Sequence, residues 1–257
     1  MSDLAAQPIG VFDSGVGGLS VLGEAVRQLP HERFIYYGDT ANAPYGTKPR
    51  GQVLSLAENV ARHLLSLHVK AIVIACNTAT AEAAAALRER YDLPIIGMEP
   101  ALKPAALLDR PGRRLVMATP GTLHSEKYAR LYAQYGQDAV SLPCAGLMEF
   151  VESGDRGSPA LRSYLEELFA PYRSELIAAV VLGCTHYSFI RSFIGTLLPA
   201  GTPILDGNAG TVRQLRRRLE ALDALRTEGD GQVTLESSGN DEALSLMQQM
   251  FEEAKHL

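Results

Sequence analysis

Apolar residues in this chain fall into short β-branched runs separated by longer stretches in which they recur at helical spacing. The runs are Ile9–Phe12, Phe34–Tyr37, Ala71–Ala75, Pro94–Ile96, Leu115–Ala118, Ala178–Leu182 and Pro203–Leu205, with a weaker one near Val233. Between them lie helical candidates at Leu19–Leu29, Val53–Leu67, Ala79–Arg90, Leu123–Tyr135, Leu161–Tyr172 and Val212–Leu222. Continuously apolar strands separated by helix-length segments predict parallel sheets covered by helices on both faces, and so an α/β fold. No long linker divides the chain. The proline cluster Pro100, Pro104 and Pro111 and the turn Asp206-Gly207-Asn208 mark two crossing points. They predict a first α/β domain of residues 1–98 plus 208–257, carrying Asp13 and Cys76, and a second of residues 99–207, carrying Cys184.

Composition narrows the function classes. With 257 residues there is room for one large or two small domains, and 46% hydrophobic with 21% charged residues is ordinary for a globular chain. A net charge of -5 provides no global field for nucleic acid or anionic membrane, so neither is expected as a partner. Apolar stretches are broken well before the ~18 residues of a membrane span. Three widely spaced cysteines do not form a disulfide framework, no secretory signal opens the chain, and the expected compartment is the cytoplasm.

One internal echo matters more than composition. Ala71-Ile72-Val73-Ile74-Ala75-Cys76-Asn77-Thr78 and Ala179-Val180-Val181-Leu182-Gly183-Cys184-Thr185-His186 follow one plan: apolar strand, small residue, cysteine, then hydroxyl or amide residues opening a helix. Ligands of open α/β sheets sit at the carboxyl ends of strands, where both cysteines fall. Two such halves facing each other would bring the thiols together in a cleft. A helix start also favours ionisation of a thiol, with Asn77 or Thr78 as N-cap after Cys76 and Thr185 after Cys184. A buried small hydrophobe is the commoner fate of a lone cysteine; the matched pair favours chemistry.

Asp13 ends the first strand and enters Ser14-Gly15-Val16-Gly17-Gly18, where glycines allow close approach to a ligand. A cap for the following helix and a ligand site weigh equally there. Ser20 departs from a dinucleotide fingerprint, and Gly46-Thr47-Lys48 lacks the upstream glycine of a phosphate loop. Gly38 to Pro49, including Tyr45 and Gly46, suits a polar loop lining a site. Glu149 and Glu152 share a helical face that reads first as solvated. No metal site is expected: His186 stands alone after Cys184, and His63 and His68 lie on an amphipathic segment that suggests exposure.

Together these segments resemble the glutamate racemases of the aspartate/glutamate racemase family. The motifs that carry the resemblance are Phe12-Asp13-Ser14-Gly15-Val16-Gly17-Gly18-Leu19, Gly38-Asp39-Thr40 with Pro44-Tyr45-Gly46, Ala75-Cys76-Asn77-Thr78-Ala79, Thr119-Pro120-Gly121-Thr122 and Leu182-Gly183-Cys184-Thr185-His186-Tyr187. The resemblance implies two similar α/β domains with the site in the cleft, no cofactor, and interconversion of L- and D-glutamate supplying D-glutamate for peptidoglycan. It gives Cys76 the α-proton of D-glutamate and Cys184 that of L-glutamate, with Asp13 beside the first thiol and Glu152 and His186 assisting the second. Substrate contacts map onto Asp13, Ser14, Tyr45, Gly46, Cys76, Asn77, Thr78, Thr119, Cys184, Thr185 and His186. A homodimer is consistent with the resemblance, which does not locate its interface.

The chain departs from the family pattern at Cys144-Ala145, where many members have proline after the cysteine, and at Asp206-Gly207-Asn208. Only a short segment precedes Ile9, so activation by a cell-wall precursor nucleotide is not expected. Rival readings are racemisation of aspartate or a decarboxylation on the same thiols, a cysteine hydrolase using Cys184 with His186, a non-enzymatic binding protein, and a pyridoxal enzyme.

Overall fold

A computed structural model describes residues 3–257. The chain divides into two compact units, one running to Met98 and resuming at Asn208–Leu257, the other spanning Glu99–Gly207.

In the first unit β1 (Ile9–Asp13), β2 (Arg33–Gly38), β3 (Ala71–Ile74), β4 (Ile95–Gly97) and β9 (Gln232–Ser237) form a parallel sheet in the order β4-β3-β1-β2-β9. In the second, β5 (Arg113–Ala118), β6 (Ala139–Pro143), β7 (Ile177–Leu182) and β8 (Ile204–Asp206) are parallel in the order β6-β5-β7-β8. Read from the other edge, β8-β7-β5-β6 repeats β4-β3-β1-β2, so the echo seen in sequence is a repeat of topology. Every residue of β1 and β3 is buried, as expected of strands covered on both faces.

Helices Arg50–Ser66 and Asn77–Arg90 close one face of the first sheet over Phe12, Ile72, Ile74, Leu64 and Leu87. Helix Leu19–Gln28 contacts Asn208–Ala221 and Asp241–Ala254. A Cβ on Gly23 would come within 2.3 Å of the Ala254 carbonyl oxygen, so glycine permits the close approach. The returning C-terminal segment is also tied by Lys70, whose buried ammonium donates to Glu32 Oε2 at 2.6 Å, Ala5 O at 3.0 Å and Ala224 O at 2.9 Å. In the second unit Leu102, Val116, Tyr128, Ala179 and Val181 form the core.

Several expectations need correction. The single helix expected over Leu123–Tyr135 is two, Pro120–His124 and Glu126–Tyr135. Ser125 stands between them in extended conformation, and its hydroxyl accepts from Tyr128 N–H, restarting the helix. β6 and the short helix Leu102–Ala106 lie outside the predicted set. β6 is an edge strand ending in Pro143, the position where a sheet tolerates proline and the apolar pattern is weakest. Among the described residues no helix is long and apolar enough to cross a membrane.

Candidate active site

Both cysteines emerge from equivalent strands by equivalent means. Ala75 N–H donates to Phe12 O on β1, and Gly183 N–H donates to Met117 O on β5, each at 2.7 Å. Each bond carries the sheet pairing one step past the strand and fixes the residue before the thiol. Cys76 and Cys184 then share an extended backbone, with φ/ψ of -135°/122° and -142°/137°. Both side chains are buried.

The support given to each thiol differs. Cys76 Sγ itself caps helix Asn77–Arg90, accepting from Ala79 N–H at 3.4 Å. The sulfur therefore takes the N-cap role expected of Asn77 or Thr78, which are the first two helical residues. A thiolate there faces the positive end of a 14-residue helix. Ser14 Oγ lies 3.7 Å from Cys76 Sγ and donates to Asp13 Oδ1 at 3.0 Å, which also accepts from Gly15 N–H at 3.3 Å. The next helix starts at Leu19 after Gly18, which as N-cap residue has no side chain to offer. Gly18 is needed for space: a Cβ would lie 2.7 Å from Asp13 Cβ and 2.9 Å from Ala75 Cβ.

Tyr45 is buried in the turn Tyr45–Thr47, which also holds Gly46, and donates to Asp39 Oδ2 at 2.5 Å. Asn42 Nδ2 donates to Asp39 Oδ1 at 2.9 Å. Burial pushes the Tyr45 phenol far above its ordinary range, reinforced by the Asp39 hydrogen bond and charge and by Cys76 and Asp13 nearby. In the sequence Asp39 stands out only within a polar loop and the Gly38-Asp39-Thr40 motif, with no role of its own. Thr78 is buried, and Asn77 is buried with no hydrogen-bond partner for either amide atom among the described residues.

In the second unit no side-chain cap bond comes from Cys184, and the expected helix is a 3-10 turn, Thr185–Ile190, in which Thr185 is the first residue and not the cap. Support comes from an imidazole instead. His186 Nδ1 lies 3.7 Å from Cys184 Sγ, and its Nε2 lies 3.0 Å from Glu152 Oε1 at the end of helix Leu147–Glu152. Glu152 is thus engaged, not merely solvated. Thr185 is buried, and Thr119 caps helix Pro120–His124, its hydroxyl accepting from Thr122 N–H at 3.2 Å. His63, read as exposed, is half-exposed and meets Glu236 at 2.6 Å.

A groove of about 980 Å³ opens beside β4, lined by His68, Arg88, Gln214 and Arg218 among others, and holds none of these site residues. Among the described residues no group of three or more His, Cys, Asp or Glu is placed to bind a metal ion.

Residues 12–215, which include both thiols and their partners, match the model of the Asp/Glu/Hydantoin racemase family. The chain belongs to that family. It is accordingly an isomerase of the amino-acid racemase class. A glutamate racemase of Clostridium botulinum (strain Alaska E43 / Type E3) is 47% identical over 255 residues, covering 97% of this chain and 99% of the relative. The structure of glutamate racemase from Francisella tularensis subsp. tularensis in complex with D-glutamate matches with a TM-score of 0.84 at 30% identity, over 97% of this chain and 94% of that one. The Escherichia coli glutamate racemase in complex with L-glutamate and the activator UDP-MurNAc-ala matches with a TM-score of 0.84 at 29% identity, over 96% and 95%. Asp/Glu/Hydantoin racemases are therefore the setting in which the two thiols are to be understood.

Proposed function

We propose that this racemase interconverts L- and D-glutamate by direct proton transfer at the α-carbon, with Cys76 and Cys184 acting on opposite faces. The observation that carries the reading is the paired placement of two buried thiols at equivalent strand ends, each with its own acid–base support. Inversion needs a base on one face and an acid on the other, because one group alone tends to return the proton where it was taken. A thiolate and a thiol supply both, and they exchange roles after each turnover, so no cofactor or metal is required. The bound enantiomers of the F. tularensis and E. coli relatives support glutamate as substrate.

Cys76 removes the proton of D-glutamate and Cys184 that of L-glutamate. Asp13, through Ser14, orients the substrate ammonium and the first thiol. His186, with Nε2 held by Glu152, presents Nδ1 to Cys184 and takes or returns its proton. The growing negative charge on the substrate carboxylate is met by Asn77, Thr78, Thr185 and helix-start N–H groups. Tyr45, Gly46 and Thr119 complete the substrate contacts. The product D-glutamate serves peptidoglycan synthesis in the cytoplasm, and the enzyme acts as a homodimer.

The test is deuterium uptake at the α-carbon of each enantiomer in heavy water, with Cys76→Ala and Cys184→Ala measured beside the unmodified chain. Each variant is expected to lose at least about 10³-fold in racemisation. Full turnover in either variant removes that thiol from the mechanism, and a preference for aspartate in an amino-acid panel overturns the substrate.

A further inference from the structure

Tyr187 takes no part in the mechanism above, yet it is completely buried and follows His186 directly. Its hydroxyl donates to the carbonyl oxygen of Cys144 at 3.2 Å. Cys144 opens the corner between β6 and helix Leu147–Glu152, and Cys144 N–H is itself anchored on Ala118 O at 2.9 Å. Gly146 completes that corner at φ +82°. Helix Leu147–Glu152 has only six residues, about 9 Å at 1.5 Å per residue, so the corner at its start governs where Glu152 ends up.

The turn carrying Cys184 therefore meets this segment at two points, through Tyr187 at its start and through His186 at its end. One contact fixes a distance, whereas two fix the orientation of the short helix as well. Burial pushes the Tyr187 phenol well above its ordinary range, with the neighbouring Cys184 and Cys144 thiols adding to the effect. The hydroxyl thus remains a donor wherever the enzyme works.

We propose that Tyr187 is a positioning residue for the second thiol: its hydroxyl pins the Cys144 corner so that Glu152 reaches His186, and His186 in turn sets the protonation of Cys184. The proposal rests on the two-thiol reading only in assigning a catalytic consequence to that chain of contacts.

The experiment uses Tyr187→Phe, which keeps the ring and removes the hydroxyl. Alkylation of Cys184 and of Cys76 by iodoacetamide is followed against pH by mass spectrometry, together with kcat and KM. The expected result is a displaced Cys184 alkylation profile, an unchanged Cys76 profile, and a kcat lowered about 3- to 10-fold with little change in KM. In a Glu152→Gln background the same substitution adds little, because its route to Cys184 is already broken. An unmoved Cys184 profile, or effects of Tyr187→Phe and Glu152→Gln that simply multiply, overturns the proposal.

Should Tyr187→Phe not fold, Gly146→Ala strains the same corner without touching the phenol and is expected to move the same profile. An unmoved Cys184 profile in Gly146→Ala then overturns the proposal instead. Alkylation needs no glutamate turnover. Full turnover in Cys184→Ala would therefore sink the two-thiol reading alone, while an unmoved Cys184 profile sinks the positioning role alone.

Discussion

His186 Nε2 and Glu152 Oε1 lie 3.0 Å apart although 34 positions separate the two residues in sequence. The carboxylate favours a proton on Nε2, which leaves the lone pair of Nδ1 directed toward the Cys184 thiol 3.7 Å away. Cys76 instead meets a helix N–H, from Ala79, and the Ser14 hydroxyl. Equivalent strand ends thus carry thiols with different neighbours: a helix terminus on one side and a histidine–carboxylate pair on the other.

That difference predicts graded losses. Glu152→Gln removes the charge that holds the proton on Nε2, so its position no longer bears on Cys184, and is expected to lower kcat about 10-fold, and His186→Asn about 10²- to 10³-fold. Enantiomers have equal free energies in water, so kcat/KM must fall equally in both directions. Circular dichroism assays started from each enantiomer check both statements, and an undiminished His186→Asn enzyme would count against the relay.

Asn77 gives a prediction in which stability and binding part company. Its buried amide has no protein partner among the described residues, so Asn77→Ala forfeits no such bond and removes a buried polar group that costs about 1–3 kcal/mol when unsatisfied. The variant is expected to melt no lower than the parent, while KM for glutamate rises about 10-fold through loss of one substrate hydrogen bond. Calorimetry alongside kinetics decides the matter; a clear drop in Tm with KM unchanged would make Asn77 structural.

Gly18→Ala tests the placement of Asp13. A methyl group there would lie 2.9 Å from Asp13 Oδ2 and from Ala75 Cβ, so the carboxylate must shift. Activity is expected to fall about 10²-fold from a displacement of about 1 Å, with a stability loss of about 1–3 kcal/mol from overpacking. Kinetics on the folded variant read the first effect and urea denaturation the second.

The chain should also lose stability at alkaline pH. Burial raises the Cys144 thiol above its ordinary 9.0 and the Tyr45 and Tyr187 phenols above 10.0. Above those ordinary values the unfolded chain releases protons that the folded chain retains, so stability falls as pH rises. The contribution is intact below about pH 9 and erodes above it. Lys70 acts in the opposite sense: burial lowers its ammonium below 10.5, so its unfolded form binds the extra proton up to that value. Burial raises the Tyr37, Tyr128 and Tyr164 phenols too, so six raised groups stand against one lowered one and the net is a decline. Urea midpoints should hold level to about pH 9 and fall from there to about pH 10.5, and Cys144→Ala should flatten the portion that begins near pH 9; a curve level throughout would contradict this account.

Much of the fold was legible because its signals are local. The all-buried strands Ile9–Asp13 and Ala71–Ile74 read directly from their apolar runs. β6 did not, since an edge strand of mixed residues ending in Pro143 carries little periodicity. The break at Ser125 was hidden inside an otherwise helical pattern, where a serine can be either interior or cap and only the backbone shows which.

By itself the sequence determined the alternation of strands and helices, the two cysteines at strand ends and the family motifs, since each depends on residues within a few positions of one another. Only the tertiary structure decided that sulfur, not Asn77 or Thr78, caps the first helix, that Glu152 meets His186, and that Tyr187 holds the Cys144 carbonyl. The cap turns on the backbone angles at Cys76, whereas the other two contacts depend on how segments far apart in the chain are brought into register by packing, and a hydrogen bond formed across that register leaves no local pattern behind.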